Sequence, residues 1–449
     1  MVSTRRPRVP ALLMVGLLAM FLSLFPTVGT SQEDATPSAS PVAAEATPAV
    51  AATPAPAGEQ HAWVELGPGG VVIARVVSPT GCPEIGIDGV AYSMELRAGP
   101  VDDHPVSVCE TVIPPGASSV KVGERDLPLP SPDPQRILLI GDTGCRLKNG
   151  EPTQACNDPA AWPFATVAQQ GSAWQPDLIV HVGDYLYREA PCPEGDAGCA
   201  GSPYGDTWAT WEADFFVPAA PLLDTAPWIV LRGNHEDCSR SGEGWFRYLD
   251  PLPMPVTCRD YTDPYSVEIG DITAVVMDSA TAGDVTSDDA MNDAFREQFA
   301  VVERLAGDGP AWLLTHRPFW SLASVDDAET EWTTATYVGA GYEQPPAAID
   351  MVISGHIHLA EILEFTEASG RPVQVIAGNS GTNLESMDSG VYTGTDVGDD
   401  TLLRGMRYHE FGFVGLERVD TGWVVTMPMV DGSTPVSCLV VGRDPACVS

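Results

Sequence analysis

Basic residues are scarce in this sequence. Lys and Arg number 23 against 61 Asp and Glu, a formal charge of −38 over 449 residues. A surface of that sign repels a phosphodiester backbone, so no nucleic-acid partner is expected, and anionic lipid surfaces are disfavoured. Most of these carboxylates serve solubility. An anionic substrate would need positive charge supplied locally, and bound metal ions are one source of it. Cys-x-x-Cys pairs are absent, which removes a metal-thiolate reading of the ten cysteines. G-x-G-x-x-G and P-loop signatures are missing, as are internal repeats. Beyond the first 31 residues no stretch approaches the ~18 continuous apolar residues of a membrane span.

What is present begins with a targeting segment at residues 1–31, a signal peptide or anchor. Arg5, Arg6 and Arg8 precede an apolar run from Val9 to Val28, broken by Pro26 and followed by Gly29, Thr30 and Ser31. Cleavage is expected; an uncleaved anchor would be the one link to a membrane. Residues 32–58 are mostly Ala, Pro, Thr and Ser with a few Glu and Asp, too poor in large apolar groups to pack, and read as a linker. The even cysteine count fits export, and the spacing suggests local pairs: Cys82 with Cys109, Cys145 with Cys156, Cys192 with Cys199, Cys238 with Cys258, Cys438 with Cys447. Residues 59–133 carry short β-like runs (Val71–Val77, Ala91–Leu96, Ser107–Val112) and read as a small N-terminal all-β domain. Pro128, Pro130, Pro132 and Pro134 form a stiff connection out of it. From 134 to 431 strands alternate with helical stretches, among them Trp162–Ala173, Asp206–Phe216 and Asp289–Ala306. The mixture of βα and ββ connections indicates an α/β domain with two packed sheets. Residues 432–449 form a tail stapled by the last cysteine pair.

Five predicted strands end in polar residues capable of chemistry. They are Gly141-Asp142-Thr143-Gly144, Gly183-Asp184-Tyr185-Leu186-Tyr187, Gly233-Asn234-His235-Glu236, Leu313-Leu314-Thr315-His316 and Gly355-His356-Ile357-His358. Two hard metal ions held side by side need carboxylate, imidazole and amide oxygen ligands from several strands, one carboxylate bridging them. Asp142, Asp184, Asn234, His316, His356 and His358 supply that set, and Tyr187 adds a phenolate suited to a trivalent cation. A Gly-Asp after a strand is ordinarily a turn, but His-x-His on an extended segment turns both rings to one face.

These motifs resemble those of the calcineurin-like metallophosphoesterases, and within them the purple acid phosphatases, across about residues 136–428. Most other members place a histidine two residues after the first Asp. Here that position is Gly144, and Tyr187 fills the vacancy, as in the purple subgroup. The resemblance implies a metallophosphoesterase-type four-layer β-α-β sandwich preceded by the small β domain, with residues 134–431 as the catalytic domain. It implies a dinuclear centre: iron(III) on Asp142, Asp184, Tyr187 and His358, and a divalent ion (iron, zinc or manganese) on Asp184, Asn234, His316 and His356. His235 is then a catalytic residue that faces the substrate phosphate and assists the leaving group. Two cations would neutralise the phosphoryl oxygens and acidify a water for in-line attack on phosphorus.

The expected function is a secreted or cell-surface hydrolase of small phosphomonoesters. A phosphodiesterase or nucleotide hydrolase on the same site is the alternative, and a non-catalytic cell-surface binding protein is a rival of another class. The resemblance departs after His316: several purple acid phosphatases carry further histidines shortly after this motif, whereas here Arg317-Pro318-Phe319-Trp320 follow and no histidine stands before His356. Arg317 either contacts phosphate or is a surface residue near a helix start. His181 reads as a core residue or one that orients ligands, Tyr185 as packing, Asp278 as structural, and His61 and His104 as ordinary surface residues.

Overall fold

Strands rich in β-branched and aliphatic residues, buried on both faces, dominate the architecture. The computed structural model describes residues 61–324, 331–397 and 400–448. The targeting segment and linker expected at 1–58 lie outside them.

In a first, eleven-stranded sheet, Arg136–Ile140, Leu178–His181 and Trp228–Val230 lie side by side in parallel, with Ile140 and Val230 both paired to His181. In a second sheet Ile272–Met277, Ala311–Thr315, Ile349–Ser354 and Val373–Ala377 are also parallel neighbours. Parallel strands in close register place their carboxyl ends on one edge, so each sheet presents a row of loops there. The two sheets face each other across one core. Leu139, Val180 and Ile229 from the first meet Ala274, Leu314 and Ile353 from the second, all almost fully buried. Each of the larger of these side chains contributes about 1.5–3 kcal/mol. The outer face of the first sheet is covered by Phe164–Ala173 and by helical segments within 208–223 and Gly242–Tyr248. Asp289–Ala306 covers the second. The layers therefore run helix, sheet, sheet, helix, a four-layer arrangement in line with the fold that the resemblance implies.

The helix Asp289–Ala306 shows how local sequence sets these boundaries. Asp288 caps it by accepting from Met291 N at 2.9 Å, and Gly307 ends it at φ 63°. Phe295, Phe299, Val302 and Ala306 recur at helical spacing and form its buried face. The expected segment Asp206–Phe216 is helical from Trp208, passes through a π turn at Glu212–Phe216, and continues to Leu223.

The hydrogen bonding runs straight across residue 133. The N-terminal strand His61–Leu66 pairs in parallel with Trp228–Val230 and antiparallel with Val72–Ser78, so the first sheet extends through the N-terminal segment to Glu95–Ala98. Within the N-terminal segment, Glu84–Ile87, Val90–Ser93, Val120–Val122 and Arg125–Asp126 form a separate small sheet. At the other end, Ser437–Val441 and Asp444–Val448 add a hairpin to the same large sheet, with Cys438 bonded to its opposite partner Cys447. All five expected disulfides form.

Two arginines of the N-terminal strands grip the helix Gly242–Tyr248. Arg75 donates from Nη1 to Tyr248 O at 2.9 Å, and Arg97 from Nη2 to Phe246 O at 2.8 Å. Glu65 and Glu110 balance their charge, at 2.9 and 2.8 Å from Arg75. The same seam corrects the reading of two histidines as surface residues. His61 is 4% exposed and His104 1%, the latter with Nδ1 2.8 Å from Tyr248 Oη. They lie beneath the helical cover that the continued sheet acquires.

Glu361, on the strand Ala360–Phe365, gives a pH prediction. Burial pushes its carboxyl up to about 7, against the pull of donors from Ser321 and Leu322. The folded state therefore holds a proton that the unfolded chain releases near pH 4.5. That contribution to stability is fully present below about pH 4.5 and is lost as pH rises through 7. Differential scanning calorimetry should show the wild type losing more Tm than Glu361→Gln between pH 5 and pH 8. Equal slopes would mean that Glu361 is ionised throughout.

Candidate metal centre

The loop edge of the two sheets gathers the five motifs. Asp142, Asp184 and Asn234 come from the three central strands of the first sheet, and His316, His356 and His358 from two strands of the second. Three of these residues have left-handed backbones: Asp142 at φ 56°, Asp184 at 61° and His356 at 71°. Only two other non-glycine residues, Asp88 and Gln175, share that region among the described residues. Such conformations are uncommon outside glycine and concentrate at functional sites.

Tyr187 Oη lies at the centre of one group, 3.0 Å from Asp142 Oδ1, 2.7 Å from Asp184 Oδ2 and 3.0 Å from His358 Nε2. His316 Nε2 belongs to a second group, 3.2 Å from Asp184 Oδ2 and 3.0 Å from Asn234 Oδ1. Ligand atoms of Asp184, His316 and His356 fall within 4.8 Å of one another. All seven residues expected at the site are thus brought together, and Asp184 is common to both groups. His235 stands beside them. Its ring lies 3.8 Å from that of Tyr187, and its Nδ1 is 2.8 Å from Glu189 Oε1, close but not aligned as a hydrogen bond.

At Gly144, where other members of the family are expected to carry a histidine, space is closed. A side chain at that position would meet Tyr185 O and Tyr187 N at 2.7 Å, so an imidazole has no room. Gly183 is equally constrained: at φ 105° it lets His316 Nδ1 approach to where a Cβ would stand.

The electrostatics suit cations. Burial, then Asp142 and Asp184, holds the Tyr187 phenol well above its usual range. Burial, reinforced by Asp184, also raises Asp142. Burial pushes Asp184 the same way, but His316 and His235 outweigh it, so this carboxyl lies well below the usual range. His316 is raised to about 9, since Asp184 overcomes the burial that would lower it. Burial, with Arg317 for His356 and Arg146 for His358, keeps both of those imidazoles well below 6.5, the neutral form that ligates metals. Two buried carboxylates, a phenol and neutral imidazoles form a donor set that fits hard cations, which would replace the phenolic proton on binding.

Supporting residues hold this set in place. Glu236 accepts from the backbone N–H groups of Asp184, Tyr185, Leu186 and Gly233 at 2.8–3.2 Å. Asp214 accepts from Tyr187 N at 3.0 Å and Cys145 N at 3.2 Å and pairs with Arg188. Neither role was foreseen from sequence, nor were those of Glu189 and Asp284. Asp214 did leave a signal, as a carboxylate inside the aromatic run Trp211–Phe216; Glu189 and Asp284 left none.

The remaining expectations divide cleanly. His181 stacks on Tyr185 at 3.8 Å and contacts Thr143 Oγ1 at 3.0 Å, a buried supporting residue. Asp278 accepts from Thr262 N and pairs with Arg232, a structural role. Arg317 is no surface residue: it is buried against His356 and Asp284.

Comparisons with known proteins point the same way. A purple acid phosphatase from yellow lupin (Lupinus luteus) seeds superposes with a TM-score of 0.54 at 14% identity, over 87% of this chain and 74% of its own. A solved PhoD structure gives 0.50 at 12% identity, over 90% and 94%. At such identities the likeness speaks for the fold. No curated protein matches the sequence. The family model of the calcineurin-like phosphoesterases matches residues 135–360, half of the chain and the whole span from the first motif to the last. The chain therefore belongs to the calcineurin-like phosphoesterases, and it is a hydrolase of phosphate esters.

Proposed function

We propose that the chain is an exported, dinuclear phosphomonoesterase of the purple acid phosphatase type. The observation that carries this reading is the placement of Tyr187, whose buried hydroxyl lies within 3.0 Å of Asp142, Asp184 and His358. Those four residues would hold iron(III), and Asp184, Asn234, His316 and His356 a divalent ion. When bound, such a pair of cations neutralises phosphoryl oxygens and lowers the pKa of water.

The chain's own residues do the rest. His316 Nδ1 donates to Val182 O at 2.8 Å, which fixes the ring with Nε2 toward Asn234 and Asp184. Glu236 and Asp214 clamp the loop that carries Asp184 and Tyr187, so the donor set is organised before substrate arrives. His235, next to Glu189 and beside the Tyr187 ring, would give a proton to the departing alkoxide oxygen. Five disulfides support export to an oxidising compartment. Among the described residues no helix is long and apolar enough to cross a membrane.

Metal analysis and a visible spectrum of wild type and Tyr187→Phe test the reading. Iron with a second metal and a visible charge-transfer band are expected in the wild type, with the band lost in the variant. Two divalent ions without a band would remove the iron(III)–phenolate assignment. A protein that binds no metal would sink the mechanism.

A further inference from the structure

The strand that delivers His316 runs on into Arg317, whose side chain is drawn inward. The residue is 7% exposed, its backbone N–H donates to Ser279 Oγ at 3.0 Å, and its carbonyl accepts from Tyr337 Oη at 3.2 Å. Its guanidinium is pinned through Nη1, which pairs with Asp284 and lies 2.7 Å from His356 Nε2. Asp284 Oδ1 is itself 3.2 Å from His356 Nε2, so arginine, aspartate and imidazole form one cluster against the second group of donors. Arg317 Nε, by contrast, is buried and has no hydrogen-bond partner among the described residues. A buried N–H of a charged group is costly to leave unsatisfied, and its place beside the donor set suggests that a ligand completes it.

Resting on the phosphoesterase reading, we propose that Arg317, held by Asp284, binds non-bridging oxygens of the substrate phosphoryl group and favours dianionic phosphomonoesters over singly charged diesters. A guanidinium is a fork of donors: with Nη1 engaged by Asp284, its Nε edge remains for a second anionic acceptor. A phosphoryl group offers several charged oxygens and so matches that edge. In a chain with a formal charge of −38, a buried cation at the site also supplies the local attraction that an anionic ester requires. A monoester dianion gains more from a fixed positive charge than a diester monoanion, which sets the direction of selectivity.

The test is calorimetric titration of inorganic phosphate into the metal-loaded, full-length protein as wild type, Arg317→Ala and Arg317→Lys, with bound metal measured on the same samples. Phosphate should bind about 10- to 100-fold more weakly to Arg317→Ala at unchanged metal content. Arg317→Lys should recover part of the loss, and added guanidinium ion should restore part of it to the alanine variant. The monoester-to-diester ratio of kcat/KM should fall in Arg317→Ala. Unchanged phosphate affinity in Arg317→Ala would overturn the proposal. So would a fall in metal content that accounts for the weaker binding, since Arg317 would then serve the metal shell and not the substrate. A wild type that binds phosphate through Arg317 yet hydrolyses no ester would instead overturn the phosphoesterase reading and leave the contact standing.

Discussion

Asp184→Asn should lower kcat/KM for a phosphomonoester by about 10³-fold or more, the scale expected when a preorganised charged group is lost from the reacting centre. The geometry behind the figure is the sharing of one carboxylate by two clusters. Asp184 Oδ2 accepts from Tyr187 Oη at 2.7 Å and lies 3.2 Å from His316 Nε2, while Oδ1 accepts from the backbone of His235 at 2.8 Å. An asparagine of the same size turns one of those acceptors into a donor and removes the only charge common to both groups. His356→Ala touches one group alone. Metal per chain should therefore fall further in Asp184→Asn than in His356→Ala, measured by elemental analysis on folded protein. If Asp184→Asn kept a tenth of wild-type activity, the carboxylate would not be shared in the working enzyme.

Glu236→Ala should cost at least about 4 kcal/mol of stability. The side chain is fully buried and accepts from four backbone N–H groups, those of Asp184, Tyr185, Leu186 and Gly233. Each buried donor left without a partner costs about 1–3 kcal/mol, against a total stability on the order of 5–15 kcal/mol for ordinary domains. Urea unfolding measures the loss directly. Glu236→Gln keeps the volume but presents an amide donor to two of those N–H groups, so it should lose about half as much. A loss within about 0.5 kcal/mol of wild type in the alanine variant would show that water replaces the carboxylate at once.

These two residues also show where sequence reasoning reached and where it stopped. Asp184 was legible because a β-branched strand, a glycine and a carboxylate form a local pattern, and because four similar patterns recur in one chain. The helix Asp289–Ala306 was legible for the same reason: periodicity and capping are properties of neighbours in sequence. Glu236 stands inside a motif, yet three of its four backbone donors lie some fifty residues away. Glu189, Asp214 and Asp284 act across similar distances and sit in no motif. His61 and His104 were misread because their burial comes from two helical segments, around Trp208 and ending at Tyr248, which no local window contains. Arg317 was left between two readings until Asp284 and His356 supplied its surroundings.

The uninterrupted sheet across residue 133 bears on how this protein can be inherited, trimmed or rebuilt. His61–Leu66 is bonded to the very strand that leads to Asn234, and Arg75 and Arg97 hold the far end of the helix that follows that loop. A gene fusion or a protease cut at the proline-rich connection would not release a self-sufficient enzyme. It would expose a raw sheet edge and unsatisfied helix carbonyls beside the active loop. The smallest transferable module thus starts upstream of the first recognisable motif by some eighty residues, and a boundary drawn from motifs alone would discard part of the machine's chassis.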